Sequence, residues 1–372
     1  MVIGFDAKRA FFNRSGLGNY SRNTLWQLVT YFPSHQYVLY TPSLKNRIEL
    51  PYEDKVTLVS PDPALPSVFS SWWRSFHIIR RIRRDKLSLF HGLSNELPFG
   101  MHRSGVPSVV TIHDLIFLQY PELYKTTDVL IYKAKFSSAC RNANAIIAVS
   151  RQTANDIVRY FSVPPEKVHV VYQSCNPLFA MKISSEDQQR IKEKYKLPSE
   201  YILSVGTIEE RKNQLRILEA LNHKNIRIPL VLVGKEKAYA LKIRKYIAAN
   251  KMRNVILLNE IENEDLPAIY QGALLFVYPS LIEGFGIPIL EALYSGVPVI
   301  TSEGGCFPEA GGPDSLYVNP RRSDQIAEAI DSLLKDPSRC RKMRDAGKEY
   351  ARNFSPETVA SRLMEVYQKI AL

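Results

Sequence analysis

The sequence predicts an α/β protein of two doubly wound domains, each a parallel sheet wrapped by crossover helices. Three observations lead there. The 372 residues exceed one ordinary core and suit two domains. Short apolar runs alternate with amphipathic segments, the pattern of strands and crossover helices. That alternation then restarts after a charged, proline-flanked stretch near the middle of the chain.

In the first half the expected strands are Val2 to Phe5, Tyr37 to Tyr40, Val56 to Val59, Leu87 to His91, Ser108 to Ile112, Ala145 to Val149 and Val168 to Val171. Helices are expected over Tyr20 to Tyr31, Ile131 to Asn142 and Arg151 to Phe161. The second half offers strands at Tyr201 to Val205, Leu230 to Val233, Val255 to Leu258, Leu274 to Tyr278, Val299 to Thr301 and Leu316 to Val318, with a helix over Leu215 to Leu221. Asn176 to Glu200 opens on Asn-Pro and ends in Lys-Leu-Pro-Ser-Glu, the features of a hinge. The expected domains are therefore 1–175 and 176–355. Two such domains facing each other would hold ligands at the carboxyl ends of their strands, in the cleft between them.

Composition narrows the class. Apolar residues make up 45% and charged residues 23%, which is globular material. Cys140, Cys175, Cys306 and Cys340 are scattered, so neither a zinc site nor a disulfide framework is expected, and a reducing compartment fits. The start lacks the pattern of a signal peptide, and no apolar run is long enough to span a bilayer, so the expected location is cytoplasmic. The net charge of +12 is uneven: residues 1–180 carry 21 Lys and Arg against 12 Asp and Glu. Within that half, residues 72–84 interleave Trp72, Trp73, Ile78, Ile79 and Ile82 with arginines, the composition of a helix lying on an anionic membrane. A solvated helix covering a sheet edge has the same composition. No nucleic-acid motif accompanies the charge.

The strongest motif is Pro279-Ser280-Leu281-Ile282-Glu283-Gly284-Phe285-Gly286-Ile287-Pro288-Ile289-Leu290-Glu291, which follows a strand and opens a helix. Glycines let backbone approach a ligand, proline suits a first helical turn, and the free amides there favour an anion such as a diphosphate. Glu283 and Glu291 would reach different hydroxyls of one ligand, sugar and ribose respectively. A second strand-turn-helix, Ser204-Val205-Gly206-Thr207-Ile208-Glu209-Glu210-Arg211-Lys212-Asn213, presents Arg211 and Lys212 to a departing diphosphate. A third, Asn13-Arg14-Ser15-Gly16-Leu17-Gly18-Asn19, reads as a glycine loop able to touch a phosphate or an acceptor, although its spacing is not that of the dinucleotide fingerprint. His113 and Asp114 close the strand from Ser108, where the histidine would bond a hydroxyl; a structural cap is the commoner fate of such a pair.

These elements, in this order, resemble the retaining glycosyltransferases of family 4, which have the GT-B fold of two Rossmann-like domains. The Glu-x7-Glu segment carries the resemblance, Ser204 to Asn213 and Ala148 to Val158 support it, and Ile112 to Tyr124 resembles the mannosyltransferase-like branch. The resemblance implies an acceptor-binding domain 1–175 and a nucleotide-sugar-binding domain 176–355, with a C-terminal helix, 356–372, packing back on the first. It implies Lys212 on the diphosphate, Glu291 on the ribose, Glu283 with Gly284, Phe285, Gly286 and Ile287 on sugar and phosphate, Gly18 near the phosphate, and His113 beside the sugar and acceptor. Gly16, His113 and Asp114 form the acceptor side. The catalytic set is His113, Glu283 and Lys212.

Three positions depart from the family pattern: Thr207 stands where an arginine is usual, and Asn259 and Ser174 where glycines are. The arginine's duty is assigned to Arg211. No second carboxylate near His113 suggests a covalent nucleophile, so the family's front-face attack with retention is expected, and the absence of an Asp-x-Asp motif argues against an essential metal. Glu262 or Asn263 would meet the base; a carboxylate suits guanine, so a GDP-sugar is favoured over a UDP-sugar, although a plain acidic helix cap explains the same residues. The expected reaction moves a hexose, mannose first, from a nucleoside-diphosphate sugar to a glycan or lipid-linked acceptor in surface polysaccharide synthesis. The alternatives are a UDP-sugar donor, another enzyme on the same fold, or a non-catalytic sugar-nucleotide or glycan-binding partner of a synthesis complex.

Overall fold

A computed structural model describes residues 1–61 and 73–371. The chain divides into two compact units, Met1–Ser174 with Pro356–Leu372, and Cys175–Ser355. The first holds β1 (Val2–Asp6), β2 (Gln36–Tyr40), β3 (Thr57–Val59), β4 (Leu89–Gly92), β5 (Ser108–Ile112), β6 (Ala145–Ala148) and β7 (Val168–Val170). These form one parallel sheet in the order β3-β2-β1-β4-β5-β6-β7. The second holds β8 (Ile202–Val205), β9 (Leu230–Val233), β10 (Val255–Leu258), β11 (Leu275–Tyr278), β12 (Val299–Ser302) and β13 (Leu316–Val318), in the parallel order β10-β9-β8-β11-β12-β13. Every expected strand is present, with ends within two residues of those read from sequence. Both sheets reverse their winding at the first strand, between β1 and β4 and between β8 and β11.

Burial explains this legibility. A parallel strand covered on both faces needs apolar side chains throughout rather than in alternation. Accordingly β4, β5, β6, β8, β9, β11 and β12 are buried at every position. The helices add one stripe each. In Arg151–Phe161 the Ser150 hydroxyl accepts from the Thr153 amide at 3.0 Å, Ile157 and Phe161 go into the core one turn apart, and Ser162 ends the helix in the left-handed region at φ +50°. The second unit packs Ile217, Leu221, Leu232, Val277, Ile300 and Ile330 in one core. Each such side chain contributes about 1.5–3 kcal/mol.

Two expected helices begin earlier than the sequence suggested. The helix of the first unit runs Gly16–Tyr31, after a short helix Lys8–Phe12, so the anticipated glycine loop is a helical first turn. Asn13 Oδ1 accepts from the Ser15 amide at 2.7 Å and starts that turn. Gly18 fits because a Cβ there would lie 1.8 Å from the Asn13 carbonyl oxygen. The other helix spans Thr126–Asn142 rather than 131–142, leaving Leu130 and Ile131 exposed.

The basic segment also reads differently in three dimensions. Trp72 lies outside the described residues. Beyond it, Trp73–His77 forms a wide turn into the helix Ile78–Arg84. Ile78 and Ile82 are fully buried in a core with Tyr40 and Phe90. Arg81 pairs with Asp85 at 2.8 Å, and Arg74 with Asp6 and Glu96. Ile78 and Ile82, part of the apolar face expected to enter a membrane, are spent on the protein's own core, so the membrane reading of 72–84 is not supported. Among the described residues no helix is long and apolar enough to cross a membrane.

The helix Pro356–Ala371 belongs to the first unit. Val359, Leu363 and Tyr367 are buried, and the Tyr367 hydroxyl meets His91 Nδ1 at 2.5 Å.

Candidate functional site

In the second unit two strand-to-helix turns converge, one leaving β8 and one leaving β11, which are adjacent in the sheet. Gly206 follows β8 at φ +145°, a backbone conformation that side-chain-bearing residues rarely adopt, and Lys212 packs beside it. Asn213, at φ +60°, donates through Nδ2 to Pro279 O at 3.0 Å and Pro320 O at 2.7 Å. The Leu281 amide donates to Arg211 O at 2.7 Å. These bonds stitch the two turns into one rigid platform.

Glu283 is the centre of that platform. Its Oε1 lies 2.5 Å from Lys212 Nζ, 2.7 Å from Ser280 Oγ and 2.9 Å from the Tyr278 hydroxyl; its Oε2 accepts from Arg211 at 2.8 Å. Lys212 also donates to the Tyr278 hydroxyl and stands 4.9 Å above its ring. Burial alone would raise the Glu283 pKa, but Lys212 and Arg211 outweigh it and hold the carboxylate near 2. Burial pulls Lys212 down, and Glu283 opposes that pull. Arg211 shares itself with Glu209 at 2.8 Å, so the guanidinium assigned to a diphosphate is paired with two carboxylates here.

The turn expected to cradle an anion opens a helix, as the sequence suggested. Gly286, at φ +110°, caps the helix Ile287–Tyr294, and Pro288 sits in its first turn, where the missing amide costs no bond. Gly284, Gly286 and Ile287 can offer only backbone to a ligand or, for Ile287, backbone and an aliphatic edge. Phe285 differs from its neighbours: its ring is buried and tilted against Phe354 at 5.7 Å, so its side chain belongs to the core and its amide to the cradle. One turn inside the helix, Glu291 Oε2 accepts from the Tyr270 hydroxyl at 2.8 Å. With no cation bonded to it among the described residues, burial raises Glu291 to about 7.

Glu262 stands apart from this cluster. It is exposed on the segment before the helix Leu266–Gln271, and its carboxylate pairs with Lys194 at 2.9 Å, a lysine shared with Asp265. Contact with a base would require it to leave that pair.

In the first unit, Gly16 and Gly18 lie in the first turn of the helix Gly16–Tyr31 rather than in a loop. His113 is buried and fixed on several sides: its amide donates to Asn95 Oδ1 at 2.8 Å, and Tyr20 meets the ring edge-on at 4.5 Å. Nε2 lies 2.9 Å from Leu93 O, which can only accept, so Nε2 carries the proton. Burial lowers the His113 pKa to about 4, so the ring is neutral near pH 7 and Nδ1 carries the acceptor lone pair. Asp114 acts as a turn residue, its Oδ1 accepting from the Ile116 amide at 3.2 Å.

Tyr278, Ser280 and Tyr270 were not singled out from the sequence. Tyr278 and Ser280 precede Glu283 by five and three residues and were legible as neighbours of the motif; Tyr270 comes from another helix and carries no local signal.

Comparison with known proteins places the chain in a family. The model for glycosyltransferase family 4 matches residues 15–177 and that for glycosyl transferases group 1 matches residues 185–352. The O-antigen chain mannosyltransferase B of Escherichia coli is 26% identical, over 99% of this chain and 100% of its own length. The serotype-specific mannosyltransferase WbdA of Escherichia coli is 28% identical over 76% of this chain, which spans only 36% of that longer protein. The solved structure of Anabaena Alr3699/HepE in complex with UDP and glucose superposes with a TM-score of 0.75 at 17% identity, covering 99% of this chain and 100% of that one. Two parallel Rossmann-like sheets and matches along nearly the whole sequence make this chain a member of the GT-B glycosyltransferases, with a family 4 domain followed by a group 1 domain.

Proposed function

We propose that the protein transfers mannose from GDP-mannose, with retention of configuration and without an essential metal, to a glycan or lipid-linked acceptor in surface polysaccharide synthesis. The observation that carries the reading is an ionised Glu283 held between Lys212 and Arg211 beside the amides that open the helix Ile287–Tyr294. The mannose assignment is supported by the likeness to O-antigen chain mannosyltransferase B along the full length of both chains.

In this reading unit 2, residues 175–355, binds the donor and unit 1 the acceptor. The diphosphate settles on the amides of Gly284 to Ile287 and draws Lys212 and Arg211 toward itself. Lone pairs of Glu283 are thereby released to accept sugar hydroxyls, while Glu291 accepts the ribose diol. The bond from the sugar anomeric carbon to the phosphate oxygen breaks, and the acceptor oxygen bonds that carbon on the same face. The acceptor proton passes to the departing diphosphate. His113 and the helix start at Gly16 and Gly18 serve the acceptor side, with Nδ1 of His113 orienting a hydroxyl.

A thermal-shift panel of GDP, UDP and ADP tests the donor, since a ligand bound only by the native state raises its melting temperature with occupancy. GDP is expected to give the largest shift; a clear preference for UDP overturns the mannose assignment. Donor hydrolysis by purified protein separates enzyme from non-catalytic partner: activity that survives Lys212→Ala and Glu283→Ala unchanged sinks the catalytic reading.

A further inference from the structure

The second sheet has a cavity at its other end, away from the Glu283 platform, where β9 and β10 begin. Each strand is entered from a helix, β9 from Gln214–His223 and β10 from Ala240–Ala249, and the two connections lie side by side because the strands are hydrogen-bonded neighbours. Both helices stop in the same way. Asn225 at φ +52° and Lys251 at φ +49° turn the chain through the left-handed region, and the amides of Ile226 and Met252 reach back to Leu221 O at 2.9 Å and Ile247 O at 3.0 Å. Asn254 braces one connection against the other, its Nδ2 within 3.4 Å of the carbonyl oxygens of Ile226, Arg227 and Ile228, and Asn222 Nδ2 donates to Asn250 Oδ1 at 3.2 Å. Ile226 and Met252 pack beneath, against the core of the unit. The braced connections enclose about 290 Å³, near the size of small-ligand sites.

Charge distinguishes this cavity from the rest of the sheet. From Leu221 to Asn254 the chain carries nine Lys and Arg against one acidic residue, Glu236. Toward the carboxyl ends of the strands those cations are neutralised: Lys237 pairs with Glu209, Lys242 with Glu210 at 3.1 Å and Arg244 with Glu236 at 2.5 Å. At the amino ends Arg227, Lys251 and Arg253 line the cavity without a carboxylate, and none of the three has an ion pair among the described residues. Cations near a helix end also complement its dipole, but each of the two ends carries only about half a negative charge. One cation offsets both, and about two positive charges remain. Guanidinium forks match phosphate oxygens. The Asn225 side-chain amide and Asn222 Oδ1 make no hydrogen bond among the described residues, so a donor and two acceptors suited to hydroxyls stand beside the cations.

We propose that this cavity binds a phosphate monoester carried on a sugar or polyol, the phosphate on Arg227, Lys251 and Arg253 and the hydroxyls on Asn222 and Asn225. A dianionic phosphate matches the surplus charge, and the asparagines read the hydroxylated body. The site goes beyond the donor reading and does not depend on it, because the length of β9, about 13 Å, separates it from the turns at the carboxyl ends of the sheet. The phosphate comes either from a soluble sugar phosphate or from a lipid headgroup of the same chemistry.

Hydrogen exchange on the full chain, titrated with mannose 6-phosphate, tests the site. The Ile226, Lys251 and Met252 amides are already hydrogen-bonded, so their exchange can be followed. Peptides covering 222–228 and 250–254 are expected to gain protection, with the half-saturating concentration raised about tenfold in Arg227→Gln and in Arg253→Gln, the loss of one charge-assisted bond. Both arginines are exposed, so both variants are expected to keep the wild-type melting temperature. Inorganic phosphate is expected to bind more weakly and mannose not to protect these peptides. Vesicles of phosphatidylcholine with phosphatidylinositol 4-phosphate separate the sources: arginine-dependent protection by them as well as by mannose 6-phosphate assigns a headgroup, and protection by mannose 6-phosphate alone assigns a soluble ligand. No protection by mannose 6-phosphate, protection that neither substitution weakens, equal affinity for inorganic phosphate, or protection by vesicles alone overturns the proposal. If nucleoside diphosphate protects nothing in 203–213 while mannose 6-phosphate protects 222–228 in an arginine-dependent way, the donor reading falls and this site stands.

Discussion

At the scale of single residues, the two glutamates of the cradle share a motif and differ in electrostatics. Glu283 is ionised because two cations face it; Glu291, with a tyrosine for a partner, is raised to about 7. The consequence for stability has a definite sign. Between its ordinary 4.5 and about 7 the folded state holds a proton on Glu291 that the unfolded chain has lost, so stability falls as pH rises through that window. Glu291→Gln removes the buried charge, and its melting temperature at pH 8 is expected to exceed that of the wild type by about 2 °C or more. The same variant should lose most of its nucleotide-induced shift. In the wild type, nucleoside diphosphate affinity, followed by calorimetry, is expected to strengthen as pH rises through 7, because an ionised Glu291 accepts both ribose hydroxyls. A flat profile would remove Glu291 from the ribose. Lys212→Met leaves Glu283 with Arg211 and is expected to cut donor turnover about 100-fold or more, measured as nucleotide release. Glu283, Glu291 and Lys212 were readable because each sits at a fixed offset from a strand, a glycine and a helix start. Tyr270 was not, because its contact with Glu291 depends on how two helices pack.

At the scale of elements, the strands were legible and the helix starts were not. An apolar run buried on both faces announces itself in one dimension, whereas a helix that opens with Gly16-Leu17-Gly18 looks like a loop until the Asn13 and Ser15 bonds that begin it are seen. Gly18→Ala is therefore expected to destabilise by about 1–3 kcal/mol, the cost of forcing extra volume against packed backbone. Urea denaturation measures it, and an unchanged midpoint would mean that Asn13 moves aside freely. The segment 73–84 carries the same lesson for function: an interleaved basic and apolar pattern is common to a membrane helix and to a core helix with a charged back, and only the burial of Ile78 and Ile82 separates them. Ile82→Ala is expected to cost about 2–5 kcal/mol by the same measurement.

At the scale of the whole molecule, the two units have separate cores, and in the proposed reading only the second binds the donor, so the effects of nucleotide should be local to it. Hydrogen exchange with and without nucleoside diphosphate is expected to show new protection in peptides covering 203–213 and 278–291, with little change in the core strands β4 to β6. The ion pairs around Glu283 carry a further consequence for turnover. An enzyme whose acidic group is already neutralised by its own cations bears no stranded charge when empty, so the binding surface does not have to be rebuilt each cycle. In the proposed reading, incoming phosphate competes with Glu283 for the same two cations, and that rivalry would loosen the hold on the spent nucleotide, favouring its departure.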